Sequence, residues 1–150
     1  MKNTLMMPHF RELAWGETSK WTVLLVDDEP DNRVIAEKVL MFGGAKVYTA
    51  VHGAEALTQL ETISPSFILL DLSMPVMDGW EMIKLIRSDE RTASMPVIAL
   101  TAHAMAGDRE RVIDAGFDGY IAKPFRLGTF ISDIKNCFRE LVTAEEGQAT

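Results

Sequence analysis

Four polar positions in this sequence each follow directly on a short apolar run. Asp27-Asp28-Glu29 follow Val23-Leu24-Leu25-Val26, Asp71 follows Phe67-Ile68-Leu69-Leu70, Thr101 follows Val97-Ile98-Ala99-Leu100, and Lys123 follows Tyr120-Ile121-Ala122. If the runs are parallel strands of one sheet, these residues meet at its carboxyl edge, where open α/β sheets bind ligands. Asp27, Asp28 and Asp71 then stand within a few ångströms of one another. At an effective dielectric near 20, each like-charge pair at 4 Å costs about 4 kcal/mol, so the cluster needs counter-charge. A hard divalent cation suits a site with few protein ligands and several retained waters; Mg²⁺ is the expected ion, with Mn²⁺ as the alternative. Lys123 supplies one more positive charge, and three carboxylates, one divalent cation and one ammonium sum to zero. The chemistry this permits is phosphoryl transfer onto a carboxylate, giving an acyl phosphate. Asp71 lies on the central strand if the order is 2-1-3-4-5 and is the best placed to attack. Asp28, with Asp27, would hold the cation, while Lys123 and the Thr101 hydroxyl contact the transferred oxygens. The modification adds about one negative charge, which Thr101 and nearby backbone N–H groups can answer by moving toward it. A single aspartate after a strand is more often a loop or helix cap. Three beside a lysine are better explained by a shared task.

The elements that must position these groups are legible in the apolar pattern. Residues 21–26 read as a strand buried on both faces. Residues 31–42 carry Val34, Ile35, Val39 and Phe42 at helical spacing and stop at Gly43-Gly44, since glycine tolerates the left-handed turn that closes a helix. Residues 45–49 read as the second strand and 53–61 as the second helix. After the third run, a helix over 79–87 places Met82, Ile83 and Ile86 on one stripe. Residues 96–100 are the fourth strand, 108–115 a helix closed by Gly116, and 119–122 the fifth strand. The last helix begins after Pro124 and runs to about Val142, with Phe130, Ile131, Ile134, Phe138 and Leu141 inward. This alternation predicts an α/β fold: a doubly wound, five-stranded parallel sheet of order 2-1-3-4-5, flavodoxin-like, with five helices on its two faces. The core unit spans residues 21–142, and 143–150 form a polar tail. Residues 1–20 are an N-terminal arm. Met6, Phe10, Leu13 and Ala14 mark one helical stripe there, but a loosely packed arm is favoured over a short helix docked on its own domain or a partner.

Composition narrows the classes further. At 150 residues with 47% apolar and 25% charged side chains, the chain is sized for one globular domain. Fifteen Lys and Arg against twenty-two Asp and Glu give −7, so a basic footprint for nucleic acid is absent. Cys137 is the single cysteine, which excludes an intrachain disulfide and a thiolate zinc site. No apolar run approaches membrane-spanning length and no signal-peptide pattern opens the chain, so a reducing cytoplasmic setting is expected. His9 and His52 have no companion ligands, the nine methionines read as core fillers, and Cys137 reads as an inert thiol. Gly79 reads as easing the turn after the acceptor strand.

Residues 22–141 resemble the receiver domain of two-component response regulators. The resemblance rests on Val26-Asp27-Asp28-Glu29, on Asp71 followed by Met74-Pro75 and Asp78-Gly79, on Thr101-Ala102, on Tyr120, and on Lys123-Pro124-Phe125. Any one is weak; all in order, each at its strand end, are specific. The resemblance implies that Asp71 is the phosphorylated aspartate and that Asp28, Asp71 and the Ser73 main-chain carbonyl bind the metal, with Asp27 assisting through water. It implies that Thr101 and Tyr120 are a switch pair, the hydroxyl swinging onto the phosphoryl group while the ring turns inward. Lys123 would bond a phosphoryl oxygen, and the Lys123–Pro124 bond is expected to be cis, which proline makes tolerable. It further implies that Ser73 and His103 occupy positions at which the family tunes hydrolysis of the acyl phosphate.

The implied function is a stand-alone phosphorylation switch rather than an enzyme. Its donor would be a histidine kinase or histidine phosphotransfer protein. Its exit face would be formed by the fourth helix, fifth strand and fifth helix of the alternating set, controlling a protein target or passing the phosphoryl group on, as a monomer or a phosphorylation-linked dimer. No direct nucleic-acid or membrane contact is expected. The alternatives are a receiver excised from a hybrid histidine kinase, or an unphosphorylated interaction module assembling through residues 1–20. A magnesium-dependent aspartyl-phosphate phosphatase is disfavoured, because Asp71-Leu72-Ser73 lacks the second aspartate such enzymes use as acid and base.

Overall fold

The apolar runs become five parallel strands, β1 (Thr22–Val26), β2 (Lys46–Ala50), β3 (Phe67–Asp71), β4 (Val97–Thr101) and β5 (Gly119–Ala122), ordered β2-β1-β3-β4-β5. This is a computed structural model, and it describes residues 7–74, 77–102 and 108–148. Strands β3 and β4 are buried at every residue, as a parallel sheet covered on both faces requires. Strand β2 lies at one edge, with exposed Lys46 and only Ala50 fully buried. The register pairs Val26 with Leu70, Asp71 with Leu100 and Thr101 with Ala122. The residues that end or follow these strands therefore share one level at the carboxyl edge.

Side chains alternate between two cores. Val23, Leu25, Phe67, Leu69, Ile98 and Leu100 point to one side, and Leu24, Val26, Ile68, Leu70, Val97 and Ala99 to the other. Helices α1 (Met7–Trp15), α2 (Pro30–Phe42) and α6 (Phe130–Gln148) cover the first side, and α3 (Gly53–Leu60), α4 (Gly79–Ser88) and α5 (Asp108–Ala115) the second. By that alternation Asp71 shares the α2–α6 side with Leu69, whereas Thr101 and Tyr120 share the opposite side with Ala99. Pro30 opens α2, where its missing N–H is harmless, and Gly44 at φ +94° closes the turn after it.

Two expectations are corrected. Among the described residues the sheet carries six α-helices rather than five, because part of the arm is itself helical: α1 buries Phe10, Leu13 and Ala14 in the same core as Trp21, Phe67 and Phe138. It is not a loose arm over those residues. The last helix starts at Phe130, after a turn through Gly128, and runs to Gln148 through what reads as a polar tail. The extra length has a physical cause, since α1 lies along it and Arg11 pairs with Glu146.

Candidate functional site

Asp27 sits one residue beyond β1 and is fully buried. Its Oδ1 accepts the Glu29 backbone N–H at 3.0 Å, and its Oδ2 lies 2.9 Å from Lys123 Nζ. Asp71, the last residue of β3, is arranged in the same way. Its Oδ1 accepts the Ser73 N–H at 3.0 Å and its Oδ2 lies 3.1 Å from the same ammonium. Lys123 thus bridges two carboxylates from neighbouring strands, while its own N–H donates to the Thr101 carbonyl at 2.7 Å and ties β5 to the end of β4. Asp28 completes the group: one oxygen from each of Asp27, Asp28 and Asp71 lies within 4.8 Å of the others. Such closely spaced hard oxygen donors, one of them half-buried and open to water, fit a divalent cation.

The electrostatics follow from burial. Desolvation raises the Asp71 carboxyl from 3.8 to about 6; the Ser73 N–H pulls against this, Asp27 adds to it, and Lys123 opposes it. Burial by itself would lower the Lys123 ammonium, but Asp27 and Asp71 outweigh it and raise its pKa. Burial thus favours the neutral Asp71 carboxyl, and added cationic charge at the pocket favours the carboxylate.

Thr101 is buried at the end of β4, and Tyr120 is half-buried on β5 in register with Ala99. Because Thr101 is two residues beyond Ala99, the hydroxyl and the ring are diagonal neighbours on one sheet face, with small Ala99 facing the ring. Ser73 is exposed beside Asp71. The Lys123–Pro124 bond is cis. His103 and Pro75 lie outside the described residues.

Gly79 works differently from the sequence expectation. Its φ is not left-handed; among the described glycines only Gly44 and Gly116 have positive φ. What it provides is space, because a Cβ there would stand 2.5 Å from the Asp71 carbonyl oxygen and 2.8 Å from Leu72 Cα. Neither backbone atom can yield cheaply. Gly79→Ala is expected to destabilise the fold by about 1–3 kcal/mol and to slow any reaction at Asp71, as read by urea unfolding and adduct formation in parallel.

One neighbour of the site was not evident from the sequence. Arg33, on the first turns of α2, donates from Nη1 to the Asp27 carbonyl at 3.0 Å and so braces the β1–α2 connection. Its position five residues after Asp28 on a helix that starts at the pocket was the available signal. His52 caps α3, its Nδ1 accepting the Glu55 N–H at 3.1 Å. Burial, then Glu140 and Asp133, push the Cys137 thiol up to about 12, which leaves it unreactive at neutral pH.

A family model for the response regulator receiver domain matches residues 23–135. The polar-differentiation response regulator DivK of Brucella ovis is 35% identical over 115 residues, covering 77% of this chain and 94% of that protein. The chemotaxis protein CheY4 of Vibrio cholerae superposes with a TM-score of 0.73 at 29% identity, covering 78% of this chain and 98% of that one. The receiver domain of a sensor histidine kinase from Pseudomonas aeruginosa, solved with a magnesium ion coordinated in its active site cleft, gives 0.70 at 35% identity over 79% of this chain and 97% of that one. The chain spans about half, 49%, of the matching transcriptional regulatory protein PrrA of Mycobacterium leprae. The family match takes in every residue of the five strands except Thr22, together with every polar position that ends them, and the chain belongs to the response regulator receiver family.

Proposed function

We propose that the protein is a phosphorylation switch in which Asp71 accepts a phosphoryl group from a phosphohistidine donor. The observation that carries this reading is the Lys123 ammonium held between Asp27 and Asp71, with three carboxylates converging at the carboxyl edge of the sheet. An Asp71 oxygen forms the new bond to phosphorus, the phosphorus–nitrogen bond of the donor breaks, and the imidazole leaves with its electron pair and takes up a proton. Asp28, Asp71 and the Ser73 carbonyl would hold Mg²⁺, with Asp27 contributing through water, and the ion would neutralise charge on the transferred oxygens. Lys123 then serves a phosphoryl oxygen as it now serves the two carboxylates. Thr101 and Tyr120 carry the change outward by shifting a pre-existing equilibrium. Ser73 and His103 tune the lifetime of the acyl phosphate.

Donor docking is supported by an apolar groove of about 480 Å³ between α2 and the loop after Lys123, lined by Ile35, Val39, Phe42, Leu127 and Ile131. Phe42 is 96% exposed there. The exit face is the cleft between α5, β5 and α6, serving a protein target in the cytoplasm or a further phosphotransfer protein, with the chain as a monomer or a phosphorylation-linked dimer. A second reading, a receiver unit of a sensor kinase, is favoured by the similarity to the Pseudomonas aeruginosa domain. Assembly through residues 1–20 is disfavoured because Phe10, Leu13 and Ala14 are buried in the chain's own core.

Intact mass spectrometry after incubation with acetyl phosphate tests the reading. A single phosphoryl adduct is expected with Mg²⁺ and none in excess EDTA. Absence of an adduct, together with no beryllium fluoride complex in the presence of Mg²⁺, would overturn it.

A further inference from the structure

Helix α1 and residues 136–148 of α6 both fall outside the family match, yet they pack on each other. Phe10 stacks on Phe138 with ring centroids 6.0 Å apart, and Phe138 continues edge-on into Phe67 of β3 at 5.4 Å. Arg139 Nε donates to the Ala14 carbonyl at 3.0 Å, satisfying an acceptor at the open end of α1. Arg139 and Arg11 both lie over the Trp15 ring, at 5.7 and 5.8 Å, and Arg11 pairs with Glu146 one turn beyond Val142. These contacts run along α6 from Phe138 to Glu146.

The other side of α6 forms one wall of the α5–β5–α6 cleft, of about 1120 Å³, through Asn136, Cys137, Glu140 and Ala144. Glu140 reaches across it to Arg109 of α5 at 2.7 Å. Helix α6 is thus held on one side by α1 and presents its other side to the cleft.

We propose that α1 is a built-in positioning helix for α6: it orders the C-terminal half of α6 and thereby sets the cleft wall, independently of the chemistry at Asp71. Without α1, Phe138 and Val142 would lose their cover and α6 would fray back toward the sheet, carrying Glu140 away from Arg109. Exit-face geometry and acceptor chemistry are then separately adjustable; the regulatory meaning of this rests on the reading of the cleft as the exit face.

Hydrogen exchange by mass spectrometry on the full chain tests this, comparing the natural sequence with Phe10→Ala and Arg139→Met. In both variants, peptides from 136–148 and from the facing wall at 108–115 should exchange about tenfold faster, while β1 and β3 peptides and the Mg²⁺-dependent acetyl phosphate adduct stay as they were. Faster exchange confined to α1 would overturn the proposal, because α6 would then hold its position alone. Uniform acceleration in both variants, β3 included, would also overturn it, since α1 would then support the whole fold rather than α6. If Phe10→Ala does not fold, Arg139→Met, which removes the cap to Ala14, the ring contact and the 3.3 Å bond to Asn136 Oδ1, decides by the same comparison. Acceleration at 136–148 in a protein that never takes up a phosphoryl group would uphold the α1–α6 coupling while overturning the phosphoacceptor reading.

Discussion

Asp71→Asn is expected to take up no phosphoryl group and, in metal-free buffer at pH 8, to be more stable than the natural sequence. The first effect is chemical, since an amide lacks the carboxylate nucleophile. The second follows from burial. In the unfolded chain this carboxyl titrates near 3.8, and in the folded protein near 6, chiefly because desolvation penalises the charged form. Between those pH values the folded protein holds a proton that the unfolded chain releases. Raising the pH from 4 to 7 therefore weakens the fold through this group, by at most about 3 kcal/mol. Asparagine never ionises, and its oxygen can still accept the Ser73 N–H, while Lys123 keeps Asp27 at 2.9 Å. Urea unfolding at pH 4, 6 and 8 in EDTA should give a stability difference near zero at pH 4 that grows across this window. A difference that stays flat with pH would mean that the Asp71 carboxyl titrates alike in the folded and unfolded chain. With Mg²⁺ at pH 8 the gap should narrow, since the cation stabilises the natural carboxylate and has less to hold in the variant.

The grouping of the candidate site's residues could be read from the sequence for a local reason. Asp27, Asp71 and Thr101 each end or follow a run of buried apolar residues, so position in the sheet was encoded by a local pattern. The topology then brought together what the sequence separates. Helix α1 was hidden for the opposite reason. Its stripe of Phe10, Leu13 and Ala14 is only a few residues long, Gly16 interrupts the chain after it, and its partner Arg139 is 125 positions away from Ala14. A short isolated helix is marginal on its own, so nothing local distinguishes a docked segment from a loose one. The length of α6 was missed for the same cause, because Ala144-Glu145-Glu146 look like tail until α1 supplies the other surface. Gly79 was recognised as constrained but for the wrong reason, since space against the Asp71 carbonyl is a tertiary property.

At the amino edge of the sheet a third aspartate poses the same problem of a buried charge and meets a different solution, and Arg87→Met is expected to destabilise the protein by about 3–5 kcal/mol. Asp118 stands just before β5 with its side chain fully buried, and its Oδ2 accepts the Val97 N–H at 2.8 Å and lies 3.1 Å from Arg87 Nη2. Arg87, in the last turn of α4, also donates from Nε to the Gly116 carbonyl at 2.9 Å and from Nη1 to those of Ala93 at 3.1 Å and Met95 at 2.6 Å. One guanidinium thereby ties the end of α4, the connection to β4 and the turn before β5. Burial lowers its pKa only to about 10, so it remains a cation at neutral pH. Methionine keeps much of the stem's packing but removes the ion pair to the Asp118 carboxylate and the guanidinium's bonds to several carbonyls. For a domain of this size the melting temperature should fall by roughly 10 °C. Adding Asp118→Asn, which removes the carboxylate charge and retains an acceptor for Val97, should restore at least about 1 kcal/mol as a coupling between the two sites. Additive losses would show that the pair is not the source of the effect. Below the lowered melting point, adduct formation at Asp71 should persist, because this strut lies at the sheet edge opposite the acidic pocket. The fold thus gives Asp118 an arginine of its own, whereas Asp71 shares one lysine with Asp27.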